Sequence, residues 1–177
     1  MENWRPISLV NVDSKLASKV IANKIKKVLP HIIHHYQAGF IKGRFIGEVA
    51  RSILDIFDYT EMSKMPGVLL FIDFEKAFDS IEWDFLYKSL AAFDFGPTLI
   101  AWIKTFYNNA SSCFLNNGLF SDPFKLERGV RQGDPLSPYL FIAAIEILAI
   151  SLRTNKYMEC IKIGADEIKS LFFMRMI

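Results

Sequence analysis

Cysteine is scarce: the 177 residues contain two, Cys113 and Cys160, and two thiols this far apart make no metal-ligand spacing. In a chain without a leader they read as reduced, intracellular residues rather than as a disulfide. The opening, MENWRPISLV, has no apolar signal segment. Long hydrophobic runs are missing as well. The longest, Tyr139 to Ile150, is about half the roughly 20 residues that a membrane span needs, so it is read as a buried helix. Low-complexity runs and internal repeats are also lacking. With 51% hydrophobic residues and a net charge of only +2, a disordered chain is excluded. The length suits one substantial core, as one domain or one domain plus part of another.

The small net charge hides an asymmetry. Between Lys15 and Arg51 there are eight Lys/Arg residues and one acid, Glu48, whereas the remainder carries 13 basic and 18 acidic groups. A basic N-terminal third and an acidic remainder suit a protein that holds a polyanion on one side and metal carboxylates on the other. Charge alone fits an ordinary solvated helix face better.

The pattern along the chain is α+β. Asp13 is placed to cap a helix over Ser14–Leu29 that Pro30 ends. Its apolar positions Leu16, Ala17, Val20, Ile21, Ile25, Val28 and Leu29 follow helical spacing, with Lys15, Lys19 and Lys26 opposite. Gln37–Arg44, with two glycines, reads as a turn before a helix over Gly47–Met62, and Met65-Pro66-Gly67 breaks the chain. Val68–Ile72 reads as a strand buried on both faces and running into Asp73. Asp79 and Glu82 have capping-box spacing before a helix over Glu82–Phe93, and Gly96-Pro97 separates it from one over Thr98–Asn109. Two strands, Ser112–Asn116 and Pro123–Leu126, join around Asn117-Gly118. A Gly/Pro-rich loop, Glu127–Pro138, follows, and Ser137 caps the long apolar helix beginning at Pro138. The end reads as Cys160–Ile163, a turn at Gly164–Glu167, and a strand at Ile168–Lys169.

Two segments carry chemistry. In Phe71-Ile-Asp-Phe-Glu-Lys-Ala-Phe-Asp79, a carboxylate at the end of a buried strand is held rigidly, as a divalent-metal ligand must be. Two-metal phosphoryl transfer needs several acidic oxygens around ions about 3.5–4 Å apart, so Asp73 supplies one part of such a site and cannot supply it alone. Asp73 also fits as the first residue of a turn, and helix capping accounts for Asp79. In Arg128-Gly-Val-Arg-Gln-Gly-Asp-Pro-Leu-Ser-Pro138, two glycines permit close backbone approach to a ligand. Gln132 offers donor and acceptor, Arg131 suits phosphate, and the following helix N-terminus favours anions. As a bare loop this would be an ordinary connector.

Taken together, Asn3-Trp-Arg-Pro-Ile-Ser-Leu9, Gln37-Ala-Gly-Phe-Ile-Lys-Gly-Arg44, Asp73-Phe-Glu-Lys-Ala-Phe-Asp79 and Gly129-Val-Arg-Gln-Gly-Asp-Pro-Leu-Ser-Pro138 occur in the order and approximate spacing of LINE-type (non-LTR) reverse transcriptases. Leu126-Glu-Arg-Gly129 and Phe141–Leu148 resemble that family too. The resemblance runs from Asn3 to about Lys169. It implies a right-hand polymerase fold, with partial fingers over 1–65, a partial palm over 66–169 and an atypical apolar tail over 170–177. By the same likeness Asp73 is the first catalytic metal ligand. Phe78 is the aromatic gate that excludes a ribose 2′-hydroxyl. Phe74, Arg131, Gln132 and Gly133 belong to the nucleotide-binding set, and Arg5, Lys42 and Arg44 contact triphosphate or template. The implied cofactor is Mg2+ (or Mn2+). The implied partners are an RNA template, a DNA primer and dNTPs, with no membrane, in the cytoplasm or nucleus.

His31, His34 and His35 share a helix face at i, i+3, i+4, as zinc ligands do. Following Pro30, with no Cys or acid near, they fit a surface or template-contacting turn better. Members of the family follow the long apolar helix with a Tyr-Ala-Asp-Asp hairpin. Here Ala165-Asp166-Glu167 matches the turn before that motif, and the sequence continues Ser170-Leu-Phe-Phe-Met-Arg-Met-Ile177. On this reading the chain is a fragment that ends before the second pair of aspartates. Nucleotide addition by it should be negligible, and an incomplete palm sheet would expose an apolar edge. The alternative is a noncatalytic nucleic-acid-binding remnant.

Overall fold

Helices dominate the structure because the chain offers five segments of helical periodicity and few strands longer than two residues. A computed structural model describes residues 7–157 and the backbone of residues 161–163 and 166–168. Helices α1 (Val12–Ile32), α2 (Ile46–Met62), α3 (Trp83–Ala92), α4 (Pro97–Tyr107) and α5 (Ser137–Arg153) are accompanied by short strands. The fold is α+β, as the sequence indicates. The core lies where α1 and α3 pack on α5 and α4 packs on α3, and Leu29, Leu86, Leu90, Ile103 and Leu140 are fully buried there. Of α2, only Val49 is buried.

The small sheets are nested hairpins. Strands β2 (Leu115–Asn116) and β3 (Leu119–Phe120) pair antiparallel around Asn117 and Gly118, whose φ values of 49° and 80° make the tight turn that Asn-Gly favours. Outside them β1 (Ser111–Ser112) pairs with β4 (Phe124–Lys125). Strands β5 (Ile161–Ile163) and β6 (Asp166–Ile168) form a third antiparallel pair. Asp166 and Glu167 are therefore ladder residues opposite Ile163 and Lys162, not the turn that the sequence pattern suggests. Cys160, Lys169 and the tail 170–177 lie outside the described residues.

Three expectations fail. The apolar segment 68–72 is not a buried strand. Its residues are exposed, Val68 at 92%, and none of the observed ladders includes it, so nothing holds it as a sheet element. Asp13, Asp79 and Ser137 do not cap helices either; Leu136 precedes α5 and Ser137 is its first residue. Asn11 precedes α1 and Asp13 sits in its first turn, where its charge favours the dipole, while Glu82 precedes α3. Finally, Pro30 lies inside α1, which runs on to Ile32.

The end of α1 past Pro30 is held by an outside donor. Proline removes one helical donor, and the last carbonyls of any helix need outside partners. Arg44 provides them: its two Nη atoms donate to the carbonyls of Pro30 (3.1 Å), Ile33 (2.9 Å), His34 (2.6 Å) and Gln37 (2.8 Å). Beside this clamp, Glu146 of α5 is buried among apolar side chains. It pairs with Arg153 two turns along and accepts the His34 backbone N–H. The end of α1 is thus tied to α5 through polar contacts as well as packing. His34 is held below its ordinary pKa by burial, and then by the positive charges of Arg153, His35 and Arg44.

Two outcomes are expected. Arg44→Ala should lower unfolding free energy in urea by about 2 kcal/mol or more, because several half-buried carbonyls lose their donor together. Arg44→Lys should recover less than half of that, since one ammonium cannot span four carbonyls. For His34, the folded-state pKa lies below the unfolded value of 6.5, so the unfolded chain binds more protons in between. Its contribution is complete above pH 6.5 and is lost as pH falls from 6.5 through the lower folded value. Urea midpoints measured at pH 5 and pH 7.5 should differ less in His34→Gln than in the parent.

Candidate functional site

The run from Asp73 to Asp79 folds as a compact turn rather than as a strand end. Lys76 takes a left-handed φ of 48°, and its carbonyl accepts the N–H groups of Asp79 (2.8 Å) and Ser80 (3.1 Å). Asp73 is exposed, directly after the 68–72 segment. The Asp79 carboxyl is held above its ordinary value by partial desolvation, which the Lys76 charge opposes. Phe78 and Phe74 converge on one ring of α5. Phe78 stacks on Phe141 at 5.1 Å, and Phe74 meets the same ring edge-on at 6.4 Å.

The second segment docks directly on the first. Val130 N–H donates to the Phe78 carbonyl at 2.6 Å and Gly129 N–H to the Ile81 carbonyl at 2.7 Å. The Trp83 indole N–H donates back to the Gly129 carbonyl at 2.8 Å. Gly129 has φ +90°, and a Cβ there would stand 3.0 Å from the Asp79 backbone. The sequence suggests that the loop glycines admit a ligand. At Gly129 the chain's own backbone takes that place.

Gln132 and Gly133 follow, half-exposed and exposed. The Gln132 carbonyl accepts the Ser8 N–H at 3.0 Å. Gly133, at φ +97°, leaves room for Ser8 and Ile7, which would lie 3.5 and 3.6 Å from a Cβ. Arg131 points elsewhere. Its Nη2 donates to the Phe106 carbonyl at 2.8 Å and its guanidinium lies over the Tyr107 ring at 5.8 Å. Burial raises the Tyr107 hydroxyl pKa, and the Asp134 charge raises it further.

The loop ends in a residue that the sequence reading does not single out. Asp134 is buried. One carboxylate oxygen accepts the Ser18 hydroxyl of α1 at 2.6 Å, and the other accepts the Leu136 N–H at 3.1 Å. An Asp-Pro step just before a helix is a recognisable signal for this side-chain-to-backbone turn. No comparable signal marks Ser18, a small polar residue within an otherwise apolar buried face of Ile21, Ala22, Ile25 and Leu29. Leu16, Val20 and Val28, which the periodicity assigns to that face, are exposed.

The structure therefore brings Phe74, Phe78, Arg131, Gln132 and Gly133 into one region, and Arg44 is not part of it. Arg44 binds Pro30, twelve residues along α1 from Ser18, which is roughly 18 Å of helix. Lys42 is exposed in the same turn as Arg44, and Arg5 lies outside the described residues. The donor set for two metal ions is not assembled from what is described. Among the described residues no three His, Cys, Asp or Glu side chains lie together, which covers His31, His34 and His35 as well as Asp73. Among those residues, too, no helix is long and apolar enough to cross a membrane.

The chain matches the family model for reverse transcriptase (RNA-dependent DNA polymerase) over residues 1–174. It is 36% identical over 153 residues to the transposon TX1 uncharacterized 149 kDa protein of Xenopus laevis, covering 86% of this chain and 12% of that protein. It is 27% identical over 175 residues to a retrovirus-related Pol polyprotein from the type-1 retrotransposable element R2 of Popillia japonica, covering 97% and 24%. A third relative is the probable RNA-directed DNA polymerase from transposon BS of Drosophila melanogaster, 29% identical over 146 residues, covering 79% and 16%. The chain thus spans about a quarter or less of the length of these relatives. With the family model matched through almost every residue, the chain belongs to the reverse transcriptase family, in the branch found in non-LTR retrotransposons.

Proposed function

We propose that this chain is the fingers-and-palm part of an RNA-directed DNA polymerase, with fingers over 1–65 and palm over 66–169 of a right-hand fold, and that it holds an RNA template, a DNA primer and a dNTP. The observation that carries the reading is the docking of the Gly129–Gly133 loop on the Phe78–Ile81 turn. It joins, across about fifty residues of sequence, the segment read as metal ligand and sugar gate to the segment read as nucleotide contact. Phe78 would act as gate from a ring already fixed by Phe141. Gln132 would present its amide, which can both donate and accept. Lys15, Lys19, Lys26 and Lys27, on α1, would track the phosphate backbone.

Arg131 and Arg44 take different parts in this proposal from those the resemblance implies. Donors already given to backbone carbonyls serve phosphate poorly, so both arginines are read as supports for the loops that carry the contacts. The divalent ion, Mg2+ or Mn2+, belongs to the complete enzyme, to which Asp73 would contribute one carboxylate.

Template–primer binding followed by fluorescence anisotropy tests the reading. The affinity should fall with salt along a log–log line, and Lys19→Gln and Lys26→Gln should each reduce the slope by about 0.9. Asp73→Ala should leave that slope unchanged. A salt-independent interaction, or none, would sink the proposal. Primer extension on poly(rA)/oligo(dT) with Mg2+ separates binding from catalysis: binding without product favours the noncatalytic remnant, whereas product that vanishes in Asp73→Ala shows a working metal site. Gly129→Ala should weaken binding several-fold, because a Cβ at φ +90° against the Asp79 backbone forces the loop off its turn.

A further inference from the structure

Ser18 and Asp134 are 116 positions apart in sequence and form a buried side-chain pair that packing alone does not require. The Ser18 hydroxyl has one proton and two oxygens in reach, the Lys15 carbonyl at 3.1 Å and Asp134 Oδ1 at 2.6 Å. The nearer acceptor is the charged one, and the bond to it is the stronger. Asp134 is in turn fixed at its other oxygen by Leu136 N–H, and its own N–H returns to the Arg131 carbonyl at 3.2 Å. The residues between them, Gln132 and Gly133, are exposed or half-exposed and include a left-handed glycine. Such a loop is mobile unless its ends are held. One end is held by Gly129 and Val130 on the Phe78 turn, the Gln132 carbonyl accepts the Ser8 N–H, and the other end is held by Asp134.

We infer that Ser18 is a positioning residue: its hydroxyl holds the Asp134 carboxylate and so fixes the Gln132–Gly133 loop against α1. The inference rests on the reading of that loop as the nucleotide and template–primer contact. It makes the lysine-bearing helix and the glutamine loop one rigid unit, so that a duplex lying along α1 meets Gln132 at a set distance. Ser18 touches neither nucleic acid nor nucleotide in this scheme and acts only through Asp134.

The test uses the 177-residue chain with two readouts. The first is tryptic cleavage at the Arg131–Gln132 bond, followed by mass spectrometry against cleavage at Lys88–Ser89 inside α3, which reports general unfolding. Ser18→Ala should speed the loop cleavage about ten-fold, the scale of losing a hydrogen bond to a charged group, and leave the α3 cleavage unchanged. Ser89→Ala removes a buried helix serine bonded only within its own helix, to the Phe85 carbonyl, and should not speed the loop. In an Asp134→Ala background, Ser18→Ala should add nothing further. Equal acceleration at both bonds, equal effects of Ser89→Ala, or additivity with Asp134→Ala would each overturn the inference.

The second readout is template–primer affinity, expected to drop several-fold in Ser18→Ala with the salt slope unchanged, since no charge is removed. Faster loop cleavage with unaltered affinity would also refute the positioning role. If the parent chain binds no template–primer, the functional reading fails while the cleavage experiment still decides whether the strut exists.

Discussion

Helix α5 presents apolar side chains around most of its circumference, and a helix of that kind persists in water only when other elements cover it. Helices α1 and α3 do so, burying Leu140, Ile142, Ala143, Ala144 and Ala149. The alanines allow close approach of the neighbouring helices. Within the same face lies Glu146, a charge that would be costly without partners. Arg153 and the His34 backbone meet it, which fixes where the end of α1 must lie. The start of α5 then fixes the loop before it, since Ser137 N–H donates to the Asp134 carbonyl. The covering of one helix thereby sets both the position of the Gln132 loop and the place where Phe78 stacks.

The division of labour between arginine and lysine follows from the same compactness. Arg44 and Arg131 point their planar, multi-donor heads at backbone carbonyls, a task for which guanidinium is well shaped. Arg51 pairs with Asp55 on the surface of α2. The basic excess between residues 15 and 51 is consequently carried outward by lysines, whose compact ammonium groups suit non-specific phosphate contact. Lys24 also rests over the Trp102 ring at 5.2 Å, so even this set is partly engaged within the protein.

Helices were legible in the sequence to within a few residues because their signals are local. The Asn117-Gly118 step marks a turn that the backbone then takes, whereas Pro97 is the first residue of α4 rather than a break before it and Leu136 rather than Ser137 precedes α5. The C-terminal end of α1 was not legible, since the Pro30 carbonyl in its last turn takes its donor from a side chain fourteen residues away. Ser18 was hidden for a related reason: its partner is set by tertiary packing and leaves no trace in periodicity. Glycine spacing pointed to close approach at Gly129, but spacing cannot reveal whether the approaching group is a ligand or the chain itself. Two motif segments named by the family resemblance, the Phe78 turn and the Gly129–Gly133 loop, lie against each other, while Arg44 binds at a different end of α1.

The segment 68–72 shows most clearly how local pattern and tertiary context separate. Five apolar residues in a row read as a doubly buried strand, yet here they stand in solvent. A strand is defined by its ladder, and apolar composition supplies only the incentive to form one. That incentive is large, at roughly 1.5–3 kcal/mol for each large side chain taken fully out of water. Asp73 is the next residue along the backbone. A carboxylate is rigid enough to serve as a metal ligand only when the backbone bearing it is rigid, so pairing and covering 68–72 and immobilising Asp73 are a single physical event. Whether the carboxylate at position 73 is held rigidly is thus decided by what pairs with segment 68–72, and its place in the motif is only the first condition.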